Sequence, residues 1–539
     1  MTTIAPYRSP AAPGKTGFAQ ALRAELTKFR TVRGWVIGVL IGVLLMAGVG
    51  LLASSGGTSS CQQAGAGAAQ GQQSSGSCSH GLSFTLGPNG EPVSDSFYFV
   101  RQPLAGDGTV TVRVTSLTGL VPSDGGNGKN VPGVVPWAKA GLIIKENLNQ
   151  GSAYAAIMVA ADHGVRMQWN YTGDTAGMSG PVGPANPRWL RLTRSGDVIT
   201  GYDSADGTHW SKVAAVTLPG LPSTAQVGPF TTSPDYVSVT QSFGGGTSGG
   251  GGPTQATAAF DHLATSAGWT LAPGSRASWT GQYVGTPEIP GVVGYHESAG
   301  QFRLTGLGDI APVPPGHGGP ADAAATVADY LVGTFAGLLA AVVVAALFVT
   351  AEYRRGLIRL TLAATPSRGR VLAAKSVVVA VAGFIVGLIG AAIAVLAGEA
   401  ITRARGYYAF PVSGTAEVRV VVGTAILAAF ASVLALAIGT IVRRSAATVA
   451  TVIVVIVLPY FFAEASILPL SAGDWLLRVM PAAGFALQQV YPAYHQVAMS
   501  YAPFSGYFPL APWAGLAVLS AWTAVALALA AYLLRRRDA

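Results

Sequence analysis

The densest chemical grouping in this 539-residue chain is AEYRRGLIRLTLAATPSRGRVLAAK, residues 351–375. It sets Glu352, Tyr353, Arg354, Arg355, Arg359, Arg368, Arg370 and Lys375 between two runs almost free of charge. An acid, an aromatic ring and a row of cations can grip a second protein through charge-assisted hydrogen bonds. They offer no nucleophile beside a general base. Leu357, Ile358, Leu360 and Leu362 give the stretch an apolar side, and Pro366 interrupts it, so short interfacial helices are expected around that proline.

The remaining groupings point away from catalysis. APGKTG near the start contains the GKT of a phosphate loop, but Ser9 stands where GxxxxGKT needs its first glycine, and no apolar strand precedes it. ATP and Mg are therefore not expected on this chain. There is no GxSxG elbow, and the scattered acids form no convincing glycosidase pair. Asp124, Asn127 and Asn130 in SDGGNGKN carry oxygen ligands suited to calcium but lack the EF-hand spacing and its closing Glu. His163 and His209 are isolated, Asn170 opens an N-Y-T sequon, and no metal site is expected.

Cys61 and Cys78 are the only cysteines. They fit no CxxC pattern, and both fall in SSGGTSSCQQAGAGAAQGQQSSGSCSH, a low-complexity tether expected on the oxidising side of a membrane, where a local disulfide is expected. Trp169, Trp189 and Trp210 are of the type that stacks on sugar rings. In alternating strands the same residues serve as core.

The elements that must position these residues fall into two classes. Hydrophobic residues make up 50% of the chain and charged ones 11%, against roughly 25% in a soluble globular chain. The net charge of +9 sits largely at the ends of apolar runs, with no nucleic-acid motif beside it, so a nucleic-acid partner is not expected. Six runs are long enough to cross a bilayer, at about residues 34–53, 328–350, 376–397, 420–442, 447–465 and 512–534. The first is longer than a signal h-region and follows a long basic tail, so an uncleaved anchor is expected.

Within the tail, residues 1–33, GFAQALRAELTKFRTVRG places Phe18, Leu22, Leu26 and Phe29 near one helical face with Arg23, Lys28 and Arg30 beside it. An amphipathic helix lying on the inner leaflet is expected. Positive-inside flanks place both termini and residues 351–375 in the cytoplasm of a cell membrane, bacterial by expectation, with residues 55–327 outside. Arg403, Arg405 and Arg419 conflict with that assignment, partly balanced by Glu399 and Glu417. A re-entrant fifth run, bearing Pro459, would change the parity. Residues 466–507 are expected as an external interfacial hairpin.

After the tether, residues 54–80, the pattern becomes short alternating runs separated by Gly, Asp and Asn. SFYFVRQ, TVTVRVT, AGLIIKE, YAAIMVA, VRMQWN, WLRLTRS, VITGYDS, HWSKVAAV and YVSVTQ read as strands of an all-β jelly-roll sandwich over residues 81–243. A Gly-rich linker, 244–257, and a smaller β-rich piece, 258–320, follow. The fold class is thus multidomain: an α-helical six-span membrane domain, 328–539 with the first span, and an extracytoplasmic sandwich inserted between spans 1 and 2.

Two resemblances attach to these residues. The order AGLIIKE, VRMQWN, RWLRLTRSGDVITGYDSADGTHWSKV resembles laminin-G or concanavalin-like modules, which implies a surface-facing recognition or spacer role and makes an extracellular glycan a candidate partner. The six spans, the basic amphipathic helix and EYRRGLIRLTLAATPSRGRVLAAK resemble permease subunits of ABC transporters of the type-2 exporter class. On that resemblance Glu352, Tyr353, Arg354, Gly356, Arg359, Leu362, Pro366, Arg368 and Lys375 match the segment that couples to a separate nucleotide-binding subunit holding ATP and Mg, with Glu352 and Arg359 expected to dock it. It also implies a homodimer or a second permease subunit. The rival reading is a membrane-anchored adhesion or sensor protein that uses the spans only as a scaffold.

Overall fold

A computed structural model describes residues 17–56, 84–123, 129–242, 246–266, 268–272, 278–289, 291–315, 324–354, 356, 367–464, 468, 470–499, 501, 503 and 506–536. Six helices are long and apolar enough to cross a membrane: span 1 Arg33–Ser54, span 2 Val327–Arg354, span 3 Arg368–Ala404, span 4 Gly414–Val442, span 5 Ser445–Ala463 and span 6 Pro512–Arg536. The expected six are present, several with longer ends. Span 3 has 37 residues. At about 1.5 Å per residue it outreaches a hydrocarbon core of about 30 Å, so its polar ends project.

Small residues set how closely the helices approach. Gly383 and Gly387 face span 4, and a Cβ on Gly387 would stand 2.6 Å from the Ala425 Cα. That is the close packing small residues permit between membrane helices. Span 5 is one helix containing a π turn at Ile453–Val457, which ends two residues before Pro459. The wider turn accommodates a ring that would otherwise strike the carbonyl four residues earlier. Arg419, out of place in the charge pattern, donates to the Gln489 carbonyl at 2.6 Å, and Arg403 pairs with Glu399 at 2.5 Å.

The expected interfacial hairpin between spans 5 and 6 needs correction. A helix, Leu470–Val479, is followed by a 3-10 helix, Pro481–Gln488, whose residues from Pro481 to Leu487 are all buried. This second piece enters the bundle against spans 4 and 6: a Cβ on Gly515 would meet the Ala483 carbonyl oxygen at 2.2 Å. Gln488 ends it by donating to the Thr334 and Thr424 hydroxyls at 3.0 and 3.1 Å. Pro481 and Gly484 break any helical period in PAAGFALQ, which is why the sequence reads as a surface connection.

Between spans 1 and 2 two antiparallel sheets lie face to face. The strands are β1 Val93–Asp95, β2 Phe97–Ala105, β3 Gly108–Pro122, β4 Asn130–Pro132, β5 Lys139–Lys145, β6 Tyr154–Ala160, β7 Gly164–Trp169, β8 Gly173–Ala176, β9 Arg188–Ser195, β10 Val198–Ser204, β11 Ser211–Thr217, β12 Thr224–Thr232, β13 Tyr236–Ser242, β14 Gly246–Gly252, β15 Gln255–Thr265, β16 Thr270–Leu271, β17 Thr280–Val284, β18 Gly294–Ser298, β19 Gln301–Gly306 and β20 Ile310–Pro312. One sheet runs β11-β10-β9-β3-β15-β19-β18 and the other β16-β2-β12-β5-β6-β7-β8. Alternation puts Val110, Val112, Leu190, Leu192, Leu142, Ile144 and Ile157 between them. The second sheet is also covered on its other face, where Phe97, Phe99, Ile143, Tyr154, Tyr171 and Phe230 pack, so every residue of β5 is buried.

The division into a sandwich at 81–243, a linker and a separate piece at 258–320 is replaced by one sandwich. β15 lies between β3 and β19, while β16 and β17 both pair with β2. The glycine run belongs to a hairpin, with β13 paired to β14 from Tyr236↔Gly252 to Ser242↔Gly246.

The sandwich rests on the membrane domain. The Phe84 ring lies 4.5 Å from Tyr408 and 6.1 Å from Phe410 of the connection between spans 3 and 4, and beside them Ala325, just before span 2, bridges Ala409. The buried Gln496 side chain donates to the Tyr171 carbonyl at 3.1 Å.

Candidate functional site

At the end of the bundle that carries residues 351–375, three helices meet on four charges. The helix Phe18–Thr31 turns Leu22, Glu25 and Phe29 inward at spacings of three and four. Phe29 lies edge-on to Phe348 of span 2 at 5.5 Å. Phe18 and Leu26, expected on the same stripe, are exposed. Glu352 ends span 2, and Lys375 sits two turns into span 3.

Lys375 Nζ donates to Glu352 Oε1 at 2.6 Å and to Glu25 Oε2 at 2.8 Å. Lys28 Nζ approaches the same Glu352 oxygen at 2.5 Å and Glu25 Oε1 at 3.4 Å. Two carboxylates and two ammonium groups cancel, so the cluster can be buried without a net charge, and Glu25, Glu352 and Lys375 are each under 5% exposed. Burial opposes the Lys28 charge, yet the hydrogen bond and field of Glu352 outweigh it and hold Lys28 above the usual lysine value.

Neighbouring contacts extend this tie. Arg443, at the end of span 4, lies over the Tyr353 ring at 5.0 Å. Arg368, opening span 3, donates to the Leu534 carbonyl of span 6 at 2.6 Å. The N-terminal helix and spans 2, 3, 4 and 6 are thus linked around the flanks of 351–375.

Glu352 and Lys375, expected as part of a partner-facing loop, point inward and neutralise each other. Tyr353 is half-buried, while Arg354 and Gly356 are exposed, Gly356 at a φ of +68° that glycine adopts without strain. Arg359, Leu362 and Pro366 lie outside the described residues. Glu25 was missed, although a signal exists: it is the only acid in the first 90 residues and stands on the apolar stripe, three after Leu22 and four before Phe29.

In the sandwich, Trp169 packs against the core between the sheets, where a Cβ on Gly173 would meet its ring at 2.1 Å. Trp189 and Trp210 belong to the opposite sheet's outer face. Arg113 lies over Trp189 at 5.5 Å, and Arg191 covers Trp210 at 3.6 Å. Arg113 is itself fixed by a bidentate pair with Asp261 at 2.7 Å. His209 is exposed and pairs with Asp206, while His163 stacks on Trp137. Among the described residues no group of three or more His, Cys, Asp or Glu is placed to hold a metal. Asn130 is exposed in β4. Asp124 and Asn127 lie outside the described residues, as do Cys61 and Cys78.

Comparison with known proteins places this arrangement. A family model described as ABC-2 family transporter protein matches residues 23–539. No curated protein matches the chain. Among solved structures, a functionally unknown protein from Saccharomyces cerevisiae is 17% identical at a TM-score of 0.21, over 36% of this chain and 85% of that one. Scytalido-glutamic peptidase is 10% identical at 0.24, over 41% of this chain and all (100%) of that one. A mutant of the GH43 protein BlXynB from Bacillus licheniformis is 14% identical at 0.16, over 23% of this chain and 24% of that one.

Proposed function

The chain belongs to the ABC-2 transporter family, and from that premise we propose that it is the permease half of an ATP-driven exporter moved by a separate ATPase subunit. Family membership makes it a multi-pass membrane permease. The coupling is our reading of the four-charge cluster. ATP-driven closure of a soluble partner moves spans only if a rigid element carries the displacement. Glu25, Lys28, Glu352 and Lys375 join both flanks of residues 351–375 and the N-terminal helix into one such element. Arg354 and the residues that follow it would meet the partner, and Glu352 would transmit rather than touch. ATP and Mg would sit on that partner, both termini in the cytoplasm, the sandwich outside, and a second permease chain, identical or not, would complete the pathway.

The test is reconstitution with the ATPase subunit. Glu25→Gln with Lys28→Met removes one opposite pair and leaves Lys375 bound to Glu352. Binding of the ATPase should persist while the stimulation of its turnover by the permease falls. Unchanged stimulation, or no ATPase recovered with the native protein, would remove the coupling reading in favour of the adhesion or sensor one. Glycan recognition, within the same proposal, would use the outer face around Trp189 and Trp210. Trp189→Ala should then abolish binding to a glycan array, and an array on which the wild type binds nothing ends that part of it.

A further inference from the structure

The outer face of the sheet that contains β11, β10, β9 and β3 carries positive charge that the protein itself does not answer. Register sets Lys212 of β11, Tyr202 of β10, Arg191 of β9 and Thr111 of β3 side by side in one row across these four strands. Directly paired residues point to the same face, and Leu190 and Leu192, on either side of Arg191, turn the other way into the core. The next row on the outer face runs through Thr200, Thr193 and Thr109. Hydroxyl groups, one phenol ring and two cations thus make up this part of the surface.

The indoles beside this row are already engaged. The turn at Gly207 packs against the Trp189 ring, which a Cβ there would meet at 2.7 Å, and Arg113 lies over the same ring. Trp210 is pinned by its Nε1, which donates to the Gly207 carbonyl at 3.1 Å, and Arg191 stacks on it at 3.6 Å. The surface therefore offers the guanidinium rather than a bare indole. Arg191 is held twice, by the ring beneath it and by the Thr111 hydroxyl, which accepts from its Nε at 3.3 Å. Its terminal nitrogens have no acceptor among the described residues.

The other charges nearby are answered. Arg113 is paired with Asp261 through two bonds of 2.7 Å, and Asp206 is taken by His209 at 2.6 Å and by the Thr208 and His209 amides. Arg191 and the exposed Lys212 meet no carboxylate among the described residues. A guanidinium held in place by stacking presents parallel N–H donors that match a carboxylate, and its fixed position lowers the entropy lost on binding one. Two strand spacings, about 10 Å, separate Arg191 from Lys212, so a ligand that meets both carries two anionic groups on a frame that crosses Tyr202. Resting on the glycan reading of the sandwich, we propose that this face binds an acidic glycan, a chain of uronic acids. One carboxylate sits on Arg191, a second on Lys212, and a pyranose ring between them lies on Tyr202.

Binding of the full-length protein in detergent to immobilised polygalacturonate, in calcium-free buffer, tests this beside the methyl-esterified polymer, dextran sulfate and an array of neutral glycans. Saturable binding to polygalacturonate is expected, with a loss of about tenfold or more on esterification and in Arg191→Gln with Lys212→Gln, the scale of a lost charge-assisted contact. Arg191→Lys keeps the charge but not the fork and should lose affinity as well. Lys212→Gln alone changes only an exposed side chain, so it should fold in any case and still bind more weakly, and unchanged melting temperatures check the other two variants. Equal binding of the esterified polymer would leave a glycan site but overturn its acidic ligand, as would equal affinity for dextran sulfate or in either folded Arg191 variant. Polymers and an array on which the wild type binds nothing would end the glycan reading together with it.

Discussion

Lys375 Nζ stands 2.6 Å from Glu352 Oε1, joining the end of span 2 to span 3 by a buried ion pair that also engages Glu25 at 2.8 Å. Removing one member of a balanced cluster differs from removing an opposite pair. Lys375→Met leaves two carboxylates sharing Lys28, and an uncompensated buried charge costs about 3–5 kcal/mol. Glu352→Gln with Lys375→Met restores neutrality and should recover much of that loss. Thermal unfolding in detergent reads the difference, and additive effects of the two substitutions would show that the charges act separately.

The contact between sandwich and membrane domain carries a second expectation. Gln496→Ala strands the buried Tyr171 carbonyl, at a cost of about 1–3 kcal/mol. Together with Phe84→Ala, which removes the ring beside Tyr408, it should raise hydrogen exchange at the Ala325 amide, which donates to the Tyr408 carbonyl at 2.9 Å. The inner sheets should keep their protection. Unaltered exchange at Ala325 would mean that the sandwich is held by other contacts.

How much of this was readable in advance depended on whether the signal was local. The spans announce themselves because about 20 apolar residues in a row have few other uses. Strands β3 and β9 are legible from alternation, and β5 and β6 as short apolar runs buried on both faces. β12, central between β2 and β5, is not, because Gly228 and Pro229 interrupt TAQVGPFTT in a way that argues against a central strand. There the structure needs the glycine: a Cβ at Gly228 would lie 2.1 Å from the Val100 carbonyl oxygen. The insertion of β15 between β3 and β19 is a long-range pairing that no period reveals. Residues 351–375 stand out by composition, yet the inward turn of Glu352 depends on Glu25, 327 positions earlier in the chain.

The same interface should respond to pH through Glu91. Burial pushes its carboxyl above the usual range, against the lowering pull of the backbone amides of Glu91 and Asn89, with Tyr408 and Tyr494 nearby. A carboxyl whose pKa is higher in the packed state favours packing when protonated. Packing should therefore be tightest at low pH and weaken as pH rises from the ordinary carboxylate value through the raised one. Ala325 exchange, corrected for its intrinsic rate, should increase as pH is raised above the ordinary carboxylate range, and Glu91→Gln should flatten the profile. A profile identical in the variant would assign the dependence to another group.

The proposed orientation rests on which ends of the spans carry the basic residues, and it can be tested at two exposed positions on opposite ends of the molecule. With Cys61→Ser and Cys78→Ser as background, Ser211→Cys places a thiol in β11 of the sandwich, and Arg354→Cys places one at the end of span 2 beside the charge cluster. Neither side chain takes part in the core, so neither change should disturb folding. An impermeant thiol reagent applied to intact cells should label the first and spare the second, and permeabilised cells should label both. Arg443 and Arg444, which follow span 4, lie on the same side as Arg354 because Arg443 covers Tyr353. Replacing both with Ala weakens the basic flank and should raise the fraction of chains with Arg354→Cys exposed outside. Labelling of that position in intact cells without this change would reverse the orientation, place the four-charge cluster outside, and leave no surface on which a cytoplasmic ATPase could act.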